Sequence, residues 1–331
     1  MRVAAAGLTV APILPHSYRG VVVNVNPLAH RVRATHRRPR TGTSAKEVGV
    51  TQSLTRRTRH FTREDAPAVA SLLNERRLVG QPFATPEMLL APVAGDAIDR
   101  WFYDQLVETR VLVVEEDANV VGAVAWGTTH DEIRDLLWLA YAREDLLGDL
   151  LAAALAGWTG PVRAFWYAST ITLGQEGLPR APHEALHRLL TELGFVGQDL
   201  WSYQMCELDG VAPGGPRPQY HQRVALADAS GTPVGEYEYS IGSHGIGVLW
   251  WLGVDEPYRR QGHGARALDR VLTEMRSRGV SRVILYVDDD DVTGERDRTA
   301  AKALYASRGF HEEDRLWSYS RPSAAAGRPD C

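Results

Sequence analysis

Cysteine, lysine and long apolar segments are scarce in this sequence, and each scarcity excludes a class of protein. Only Cys206 and Cys331 are cysteines among the 331 residues. Two cysteines form neither a disulfide framework nor a set of zinc ligands, so we expect a cytoplasmic protein of a reducing compartment, without a metal. No apolar segment approaches the roughly 18 residues of a membrane-spanning helix, and a membrane partner is not expected.

The positive charge is almost entirely arginine and is concentrated near the N-terminus. Of the 37 basic residues only Lys46 and Lys302 are lysine, which we interpret as coding bias. Residues 1–60 contain eleven basic residues and one acidic residue, Glu47, whereas the whole chain has a net charge of −4. The rest of the chain is therefore acidic.

A basic segment of this kind can bind nucleic acid or acidic lipid. This one lacks interleaved aromatic residues and hydrophobic periodicity, and the remainder of the chain is acidic, so nucleic acid is not an expected partner. We predict that residues 1–57 form a basic leader that is disordered or that does not belong to the native protein. In the second case the native start would be Val48 or Val50.

One stretch, Val254–Leu268, joins a predicted buried strand to a predicted helix. The apolar run Val248–Val254 has the length and bulk of a buried strand. Beyond the turn, apolar residues recur at the 3.6-residue spacing of a helix with one buried face, at Leu268, Val271, Leu272 and Met275. This pattern predicts a strand, a turn and a helix N-terminus in that order.

The turn itself contains Arg259, Arg260, Gly262 and Gly264. Glycines let a ligand reach the backbone N–H groups of a helix N-terminus, where the helix dipole favours an anion. Two arginines add charge that suits phosphate. The turn therefore predicts a pyrophosphate cradle; the alternative is an ordinary tight turn with surface arginines. It is neither a P-loop nor a dinucleotide-binding fingerprint, since the residues and spacings of both are missing.

The spacing Arg-x-x-Gly-x-Gly after an apolar strand that ends in valine resembles the acetyl-CoA motif of the GNAT N-acetyltransferases. Further along, after the predicted strand Arg282–Val287, the segment Ala301–Phe310 resembles the family's Ala-x-x-Leu-Tyr-x-x-x-Gly-Phe helix and turn. Both motifs stand in the family's order. The resemblance covers residues 222–321.

A second copy of the same element order precedes this region. Arg110-Val and Val121-Gly match Arg223-Val and Val234-Gly at an offset of 113, and Trp138-Leu139 matches Trp251-Leu252 at the same offset. Colinear matches of this kind indicate a tandem duplication rather than chance. The first copy is predicted to contain a capped helix from Thr62–Asp65, a helix at 96–107, a hairpin (Arg110–Val114 and Val120–Trp126), a strand at Leu136–Leu139, a helix at Leu146–Leu155, a strand at Phe165–Tyr167 and a helix at Ala185–Leu193 ending at Gly194.

The resemblance and the repeat together imply an α/β (α+β) fold built from two tandem GNAT folds, each a mixed, mostly antiparallel central sheet flanked by helices. We expect a degenerate N-terminal domain at 58–208, a linker at 209–221, a catalytic C-terminal domain at 222–321 and a disordered tail at 322–331. The second copy lacks first helices of its own, so either the linker supplies a reduced version or the first copy covers that side.

In the first copy Ala142–Asp149 replaces the arginine-glycine turn, and Glu144, Asp145 and Asp149 would repel a pyrophosphate. Leu190 stands where the second copy has Tyr305. The resemblance therefore implies that the second copy binds the cosubstrate, acetyl-CoA. The implied cofactor-binding residues are Leu252, Gly253, Val254, Arg259, Arg260, Gln261, Gly262, His263, Gly264 and Ala265. His263 is a tolerated variable position, not a catalyst.

The mechanism that the resemblance implies is direct attack by a neutral amine on the thioester. A free backbone N–H near Leu252–Val254 would stabilise the developing oxyanion, and Tyr305 would be the general acid. Alternatively, Tyr305 is a core aromatic residue. Where many relatives carry a glutamate on this strand, the chain has Leu249, Trp250 and Trp251.

The general base is left open by the sequence. The candidates are Glu236, Glu238, His244 and Asp288, each of which could equally be a solvated surface residue. Arg298 stands where the family often has an asparagine, and it either meets a phosphate or is simply exposed. The run Asp288–Asp291 is either a solvated loop or an attraction for a cationic amine.

We expect the acceptor to be a primary amine of a small molecule, and the oligomeric state is left open. The rival function is a non-catalytic acyl-CoA-binding sensor, which Tyr305 disfavours.

Overall fold

The computed structural model describes residues 56–94, 103–166, 177–209, 219–288 and 298–323. The strands are β1 Arg56–His60, β2 Leu106–Glu116, β3 Asn119–Thr129, β4 Arg134–Tyr141, β5 Val162–Ala164, β6 Leu178–Pro179, β7 Val196–Glu207, β8 Gln219–Ala227, β9 Pro233–Ile241, β10 Ile246–Val254, β11 Arg282–Val287 and β12 His311–Arg321. The helices are α1 Ala66–Glu75, α2 Pro86–Ala94, α3 Leu147–Leu155, α4 Glu184–Glu192, α5 His263–Ser277 and α6 Thr299–Ala306.

All twelve strands belong to a single sheet. Eleven of them follow one another in the order β1-β2-β3-β4-β5-β12-β7-β11-β10-β9-β8, and β6 pairs with β12. Only β4–β5 and β10–β11 pair in parallel, and the other pairs are antiparallel. Helices pack on the sheet, α3 and α4 on one face of the first half and α1 and α2 on the other. This confirms the predicted mixed, mostly antiparallel sheet flanked by helices.

The two halves exchange their closing strands. β7, from the first half, pairs with β11 of the second, where Ser202 lies opposite Val287. β12, from the second half, pairs with β5 of the first, where Tyr319 lies opposite Ala164. Because β7 and β12 also pair with each other, the exchange joins both halves into one sheet and leaves neither closing strand as an unpaired edge.

The predicted hairpin and the predicted signals at two helix ends are confirmed. β2 and β3 are joined by a two-residue turn, with Asp117 and Ala118 both at positive φ, the backbone that a tight hairpin turn requires. Thr62 and Asp65 form the capping box, although it caps a short 3-10 turn that continues into α1. Gly194, with φ of 81°, follows the end of α4 as predicted.

Some predicted boundaries are wrong. The short strand lies at Val162–Ala164, the residues that pair with β4, and not at Phe165 and Trp166, because Phe165 leaves the strand at φ of 62°. Tyr167, the last residue of the predicted strand, lies outside the described residues. Residues 106 and 107 begin β2 rather than ending a helix, and the remainder of that predicted helix up to residue 102 lies outside the described residues.

The predicted leader and linker both extend too far. Arg56 and Arg57 belong to β1, which is held to β2 by backbone pairing and by ion pairs rather than by an apolar pattern. Residues 219–221 belong to β8. The rest of the leader, residues 210–218 of the linker and residues 324–331 of the tail lie outside the described residues. Helix α2 was not predicted, although Thr85 before Pro86 is a recognisable start signal.

The connection between α1 and α2 lies against the second half of the sheet. Tyr203 Oη donates a 2.8 Å hydrogen bond to the carbonyl oxygen of Val79, and Leu78 packs beside Val248 and Ile284. The ring of Phe83 is 4.6 Å from that of His244. This part of the first half therefore covers the face of the second half that lies opposite α5, a face on which the described residues of the second half form no helix.

Candidate functional site

The parallel strands β10 and β11 separate halfway along β10. Their pairing runs from Ile246 to Leu249 and ends there, opposite Leu285. Burial changes at the same point: Ile246–Leu249 are buried, whereas Trp250–Val254 are only half-buried. The pairing of β10 with β9 is also interrupted here, because Trp250 is the extra residue of a β-bulge. The second half of β10 thus borders an opening in the sheet.

Backbone N–H groups of β10 face this opening. Asp255 N donates to Val234 O, on the β9 side of the strand. Because successive residues of a strand direct their N–H groups to opposite edges, Val254 and Leu252 direct theirs to the edge that β11 has left. These are the donors that the sequence predicted near Leu252–Val254.

The predicted cradle lies where β10 turns into α5. Gly262, with φ of 80°, is the N-cap residue of α5, and Arg260 has φ of 60°. The first helical hydrogen bond runs from Arg266 N to Gly262 O, so the N–H groups of His263–Ala265 precede the hydrogen-bonded part of the helix. Backbone of this shape, at a helix N-terminus, forms a concavity for an anion.

The strand end, the cradle and α6 meet at Gly264. A Cβ placed there would lie 3.5 Å from Leu304 Cδ2 and 3.8 Å from Val254 Cγ2. Gly264 does not have a positive φ, so the absence of a side chain, rather than backbone strain, is what distinguishes this position. The structure thus brings together the ten predicted cofactor-binding residues and the helix that carries Tyr305.

Three arginines surround the cradle, one more than the sequence indicated. Arg259 Nε donates a hydrogen bond of 3.0 Å to the carbonyl oxygen of Val254 and so stabilises the turn. Among the described residues the Arg260 guanidinium has no hydrogen-bond or ion-pair partner. Arg266 folds back over the turn, where its Nη2 donates 3.3 Å to the carbonyl oxygen of Gln261. Its position one turn after Gly262 is the signal that could have identified it.

Tyr305 lies near the end of α6, half-buried, with its ring edge-on to Phe310 at 5.8 Å. In the described part of the chain no residue hydrogen-bonds to its hydroxyl group. Burial raises the pKa of this phenol to about 12, against a small opposing effect of Arg298. The hydroxyl is therefore protonated at neutral pH and able to donate.

Three of the four candidate bases are unsuited by their contacts or position. Asp288 Oδ1 accepts a hydrogen bond of 2.7 Å from Arg298 Nε. Arg298, for which the sequence left open a phosphate contact or exposure to solvent, is thus paired with Asp288. Glu236 accepts two hydrogen bonds of 2.6 Å from Arg223. His244 precedes β10, at the end of the strand opposite the opening.

Glu238, the fourth candidate, is on β9 opposite Trp251 and is only 1% exposed. It lies on the face of the sheet opposite α5, since its neighbours Tyr237 and Tyr239 pack into the core beneath that helix. We call this the Trp250 face, formed by Glu238, Ser240, Val248, Trp250 and Trp251; Trp250 Nε1 donates 2.8 Å to Ser240 Oγ across it.

The equivalent opening in the first half is closed. Pairing between β4 and β5 ends at Leu136, and Leu137 is the extra residue of a bulge against β3. Beyond that point, however, Leu137–Tyr141 are all buried, at 1–6% exposure. Side chains of Phe165, Leu178 and His183 lie beside them and leave a cavity of only about 20 Å³.

The first half's turn is also occupied by its own side chains. Arg56 Nη1 lies 2.7 Å from Asp149 Oδ2, and Arg56 Nη2 lies 2.9 Å from Asp145 Oδ2. Arg143 pairs with the same Asp145, and the hydrogen bonds from Arg143 and Arg56 hold the pKa of Asp145 below its usual range. Guanidinium groups of the protein thus neutralise the carboxylates at the start of α3.

The described ranges contain neither a metal site nor a membrane-spanning helix. No group of three or more His, Cys, Asp or Glu side chains in those ranges is arranged to hold a metal ion. Nor is any helix there long and apolar enough to cross a membrane.

Comparisons with protein-family models and with solved structures found similar proteins. Residues 184–310 match the model of the Acetyltransferase (GNAT) family. A comparison with curated protein sequences found no match.

Among solved structures, the chain is similar to a GCN5-related N-acetyltransferase from Sphaerobacter thermophilus, at 17% identity and a TM-score of 0.50, covering 80% of this chain and 95% of that one. It is also similar to a tandem GNAT protein from the clavulanic acid biosynthesis pathway, at 14% identity and a TM-score of 0.53, covering 83% and 100%. A glucosamine N-acetyltransferase region of a fungal multi-domain GH3 β-N-acetylglucosaminidase aligns at 11% identity and 0.52, covering 81% of this chain and 38% of that one. At these identities the similarity is one of fold.

Proposed function

Since residues 184–310 match the model of the acetyltransferase (GNAT) family, we propose that the chain is a tandem N-acetyltransferase of that family and transfers the acetyl group of acetyl-CoA to the primary amine of a small molecule. The second half holds acetyl-CoA. The connection between α1 and α2 of the first half covers the face of the sheet on which the acceptor binds. The observation that carries this assignment is the difference in burial between two equivalent strand segments, Trp250–Val254 and Leu137–Tyr141.

The residues at the opening suit each part of acetyl-CoA. The cradle at Gly262 with Arg260 and Arg266 suits the pyrophosphate by shape and charge. The edge of β10 at Leu252 and Val254 offers N–H groups to the extended pantetheine arm and to the thioester carbonyl. Bound there, acetyl-CoA supplies the activated acetyl group.

The protein's own groups account for the chemistry of the leaving thiolate. A backbone N–H aimed at the carbonyl oxygen stabilises the negative charge that develops during attack. Tyr305, protonated at neutral pH, donates its proton to the departing sulfur. Because a phenol is a weaker acid than a thiol, this donation depends on the tyrosine being held in position.

The test is acetyl-CoA consumption, measured as thiol release, across a panel of small primary amines and lysine-containing peptides. Turnover on small amines with little on peptides is expected. Binding of CoA without turnover on any amine would favour the rival function, an acyl-CoA-binding sensor. Absence of CoA binding would reject the site.

To test which half holds the cosubstrate, calorimetric titration with CoA should give one site per chain. Arg260→Glu should abolish that site, whereas Arg143→Glu, in the equivalent turn of the first half, should leave it intact. Two sites, or a site that survives Arg260→Glu, would contradict the assignment to the second half.

A further inference from the structure

Glu238 is a buried carboxylate whose hydrogen-bonding capacity is unused by the described residues. Neither of its oxygens accepts a hydrogen bond there. His221 Nε2 lies 3.2 Å from Oε2, and Arg223 Nε lies 3.5 Å from Oε1, but neither contact has hydrogen-bond geometry. Since a buried carboxylate without hydrogen bonds is costly, this one is suited to a cationic ligand.

Arg223 does not satisfy that need, because its guanidinium is committed elsewhere. It donates two hydrogen bonds of 2.6 Å to Glu236, two residues along β9. His221, by contrast, has a side chain that is 44% exposed, so it connects the buried carboxylate with solvent.

Glu238 faces the same side of the sheet as the two tryptophans beside the opening. Trp251 is its direct partner across the strands, and paired residues of antiparallel strands present their side chains to the same face. The Trp251 indole extends along β10, since its Nε1 would lie 2.7 Å from a Cβ placed on Gly253. Glu238 is thus adjacent to the strand segment that borders the opening.

The first half lacks this carboxylate. Ala125 pairs with Trp138 there as Glu238 pairs with Trp251 in the second half, and the two positions are 113 residues apart. The half in which the strand segment beside this position is buried has alanine, and the half in which that segment is half-buried has glutamate. A role in sheet stability alone would not distinguish the halves in this way, because both have the same pairing and the same bulge.

We propose that Glu238 binds the ammonium group of the acceptor and takes one proton from it, and that His221 passes this proton to solvent. This inference rests on the proposed function. It assigns the general base to Glu238, and it defines the acceptor as an amine that binds in its protonated, cationic form. The half-buried indoles of Trp250 and Trp251 add favourable contacts for the cation and for a planar body attached to it.

The step balances in atoms and charge. The ammonium loses a proton to Glu238, and the neutral nitrogen forms a bond to the thioester carbonyl carbon as the carbon–sulfur bond breaks. Tyr305 protonates the sulfur and recovers a proton from the nitrogen, now acylated. One proton per turnover leaves, from Glu238 through His221.

Binding tests the proposal independently of turnover. Benzylamine and benzyl alcohol have the same body, but only the amine is a cation at neutral pH. In the CoA-saturated wild-type protein, tryptophan fluorescence titration should show benzylamine binding at least about tenfold more tightly, a difference of 1.4 kcal/mol. Glu238→Gln should abolish the difference, and Glu236→Gln, the matched control on the same strand, should preserve it.

Equal affinities for amine and alcohol in the wild type would overturn the proposal, as would an unchanged preference in Glu238→Gln. Circular dichroism and the thermal midpoint check the fold of both variants. Should Glu238→Gln not fold, Glu238→Ala, which introduces the residue of the first half, takes its place.

Turnover provides the second arm. Glu238→Gln should lower kcat/KM for benzylamine by about 10², with the KM for acetyl-CoA unchanged. For O-benzylhydroxylamine, which is neutral at the assay pH and needs no base, the loss should be much smaller. An equal loss of kcat/KM for both acceptors would show that Glu238 does not take the proton. If the wild type acetylates neither compound nor any other amine, the proposed function fails, while the binding comparison still decides on the ammonium site.

The role of His221 has its own measurement. His221→Ala should slow the acetylation of benzylamine, and added imidazole should restore much of the rate, because the exposed side chain leaves a space open to solvent. A rate that is unaffected by the substitution, or that imidazole does not restore, would exclude His221 from the proton path.

Discussion

Leu137 and Trp250 occupy the same position in the two halves of the sheet, 113 residues apart, and each is the unpaired residue of a β-bulge. In both halves the parallel pairing ends at the residue before it, Leu136 or Leu249. Leu137 is 1% exposed, whereas Trp250 is half-buried beside an opening. The duplication therefore kept the backbone of the site in both halves and kept its accessibility in one.

This pair predicts opposite consequences of the same substitution. Leu137→Ala should lower the free energy of unfolding by about 2–5 kcal/mol, because it empties a packed core position. Trp250→Ala should lower it much less but should weaken binding of benzylamine. Urea unfolding and fluorescence titration would measure the two effects. Comparable destabilisation by both substitutions would mean that the second opening is packed as tightly as the first.

Tyr305→Phe should lower kcat by about 10² while leaving the affinity for CoA within about twofold, since only the proton donor is removed. Pre-steady-state thiol release and calorimetric titration with CoA are the measurements. The ring and its contact with Phe310 are preserved, so the thermal midpoint should not move. Unchanged turnover would return Tyr305 to the role of a core aromatic residue.

At the cradle, Gly264→Asp should abolish CoA binding without unfolding the protein. A Cβ at this position makes only ordinary contacts with Leu304 and Val254, so the fold tolerates it. The added negative charge at the N-terminus of α5 would repel the pyrophosphate. Thr273→Asp, which adds the same charge at an exposed position further along α5, is the control and should bind CoA normally. Retained affinity in Gly264→Asp would place the pyrophosphate elsewhere.

His183 predicts part of the pH dependence of stability. Burial, assisted by Arg76 and His187, lowers the pKa of His183 to about 3, so the imidazole is neutral in the folded protein. In the unfolded chain its pKa is about 6.5. Below about pH 6.5 the unfolded chain therefore binds a proton at His183 that the folded protein does not bind. The free energy of unfolding is unaffected by this group above about pH 6.5 and decreases as the pH falls toward 3.

The wild type should accordingly lose stability between pH 6.5 and 4 more steeply than His183→Gln. His130→Gln, at an exposed turn position, should behave as the wild type does. Urea unfolding across this pH range makes the comparison. Parallel curves for wild type and His183→Gln would show that His183 is not held neutral.

Much of the fold followed from local pattern. The strand β11 was predicted to the residue, and α3, α4 and the hairpins were predicted within one or a few residues, because periodicity and turn residues are local signals. The prediction of strand at Phe165 and Trp166 was wrong because the actual strand is defined by pairing with a segment some thirty residues earlier in the chain. Helix α2 was missed even though Thr85 and Pro86 mark its start.

The sequence by itself determined the family resemblance and the duplication, and it predicted the cradle at Gly262 and the candidate acid Tyr305, because each depends on residues close together in the chain. Tertiary structure alone decided which side chains surround them. The exchange of β7 and β12, the occupation of the first turn by Arg56 and the burial of Glu238 opposite Trp251 all join segments that are distant in sequence. No local pattern specifies such contacts, which is why the sequence by itself leaves Glu238 as one of four equal candidates.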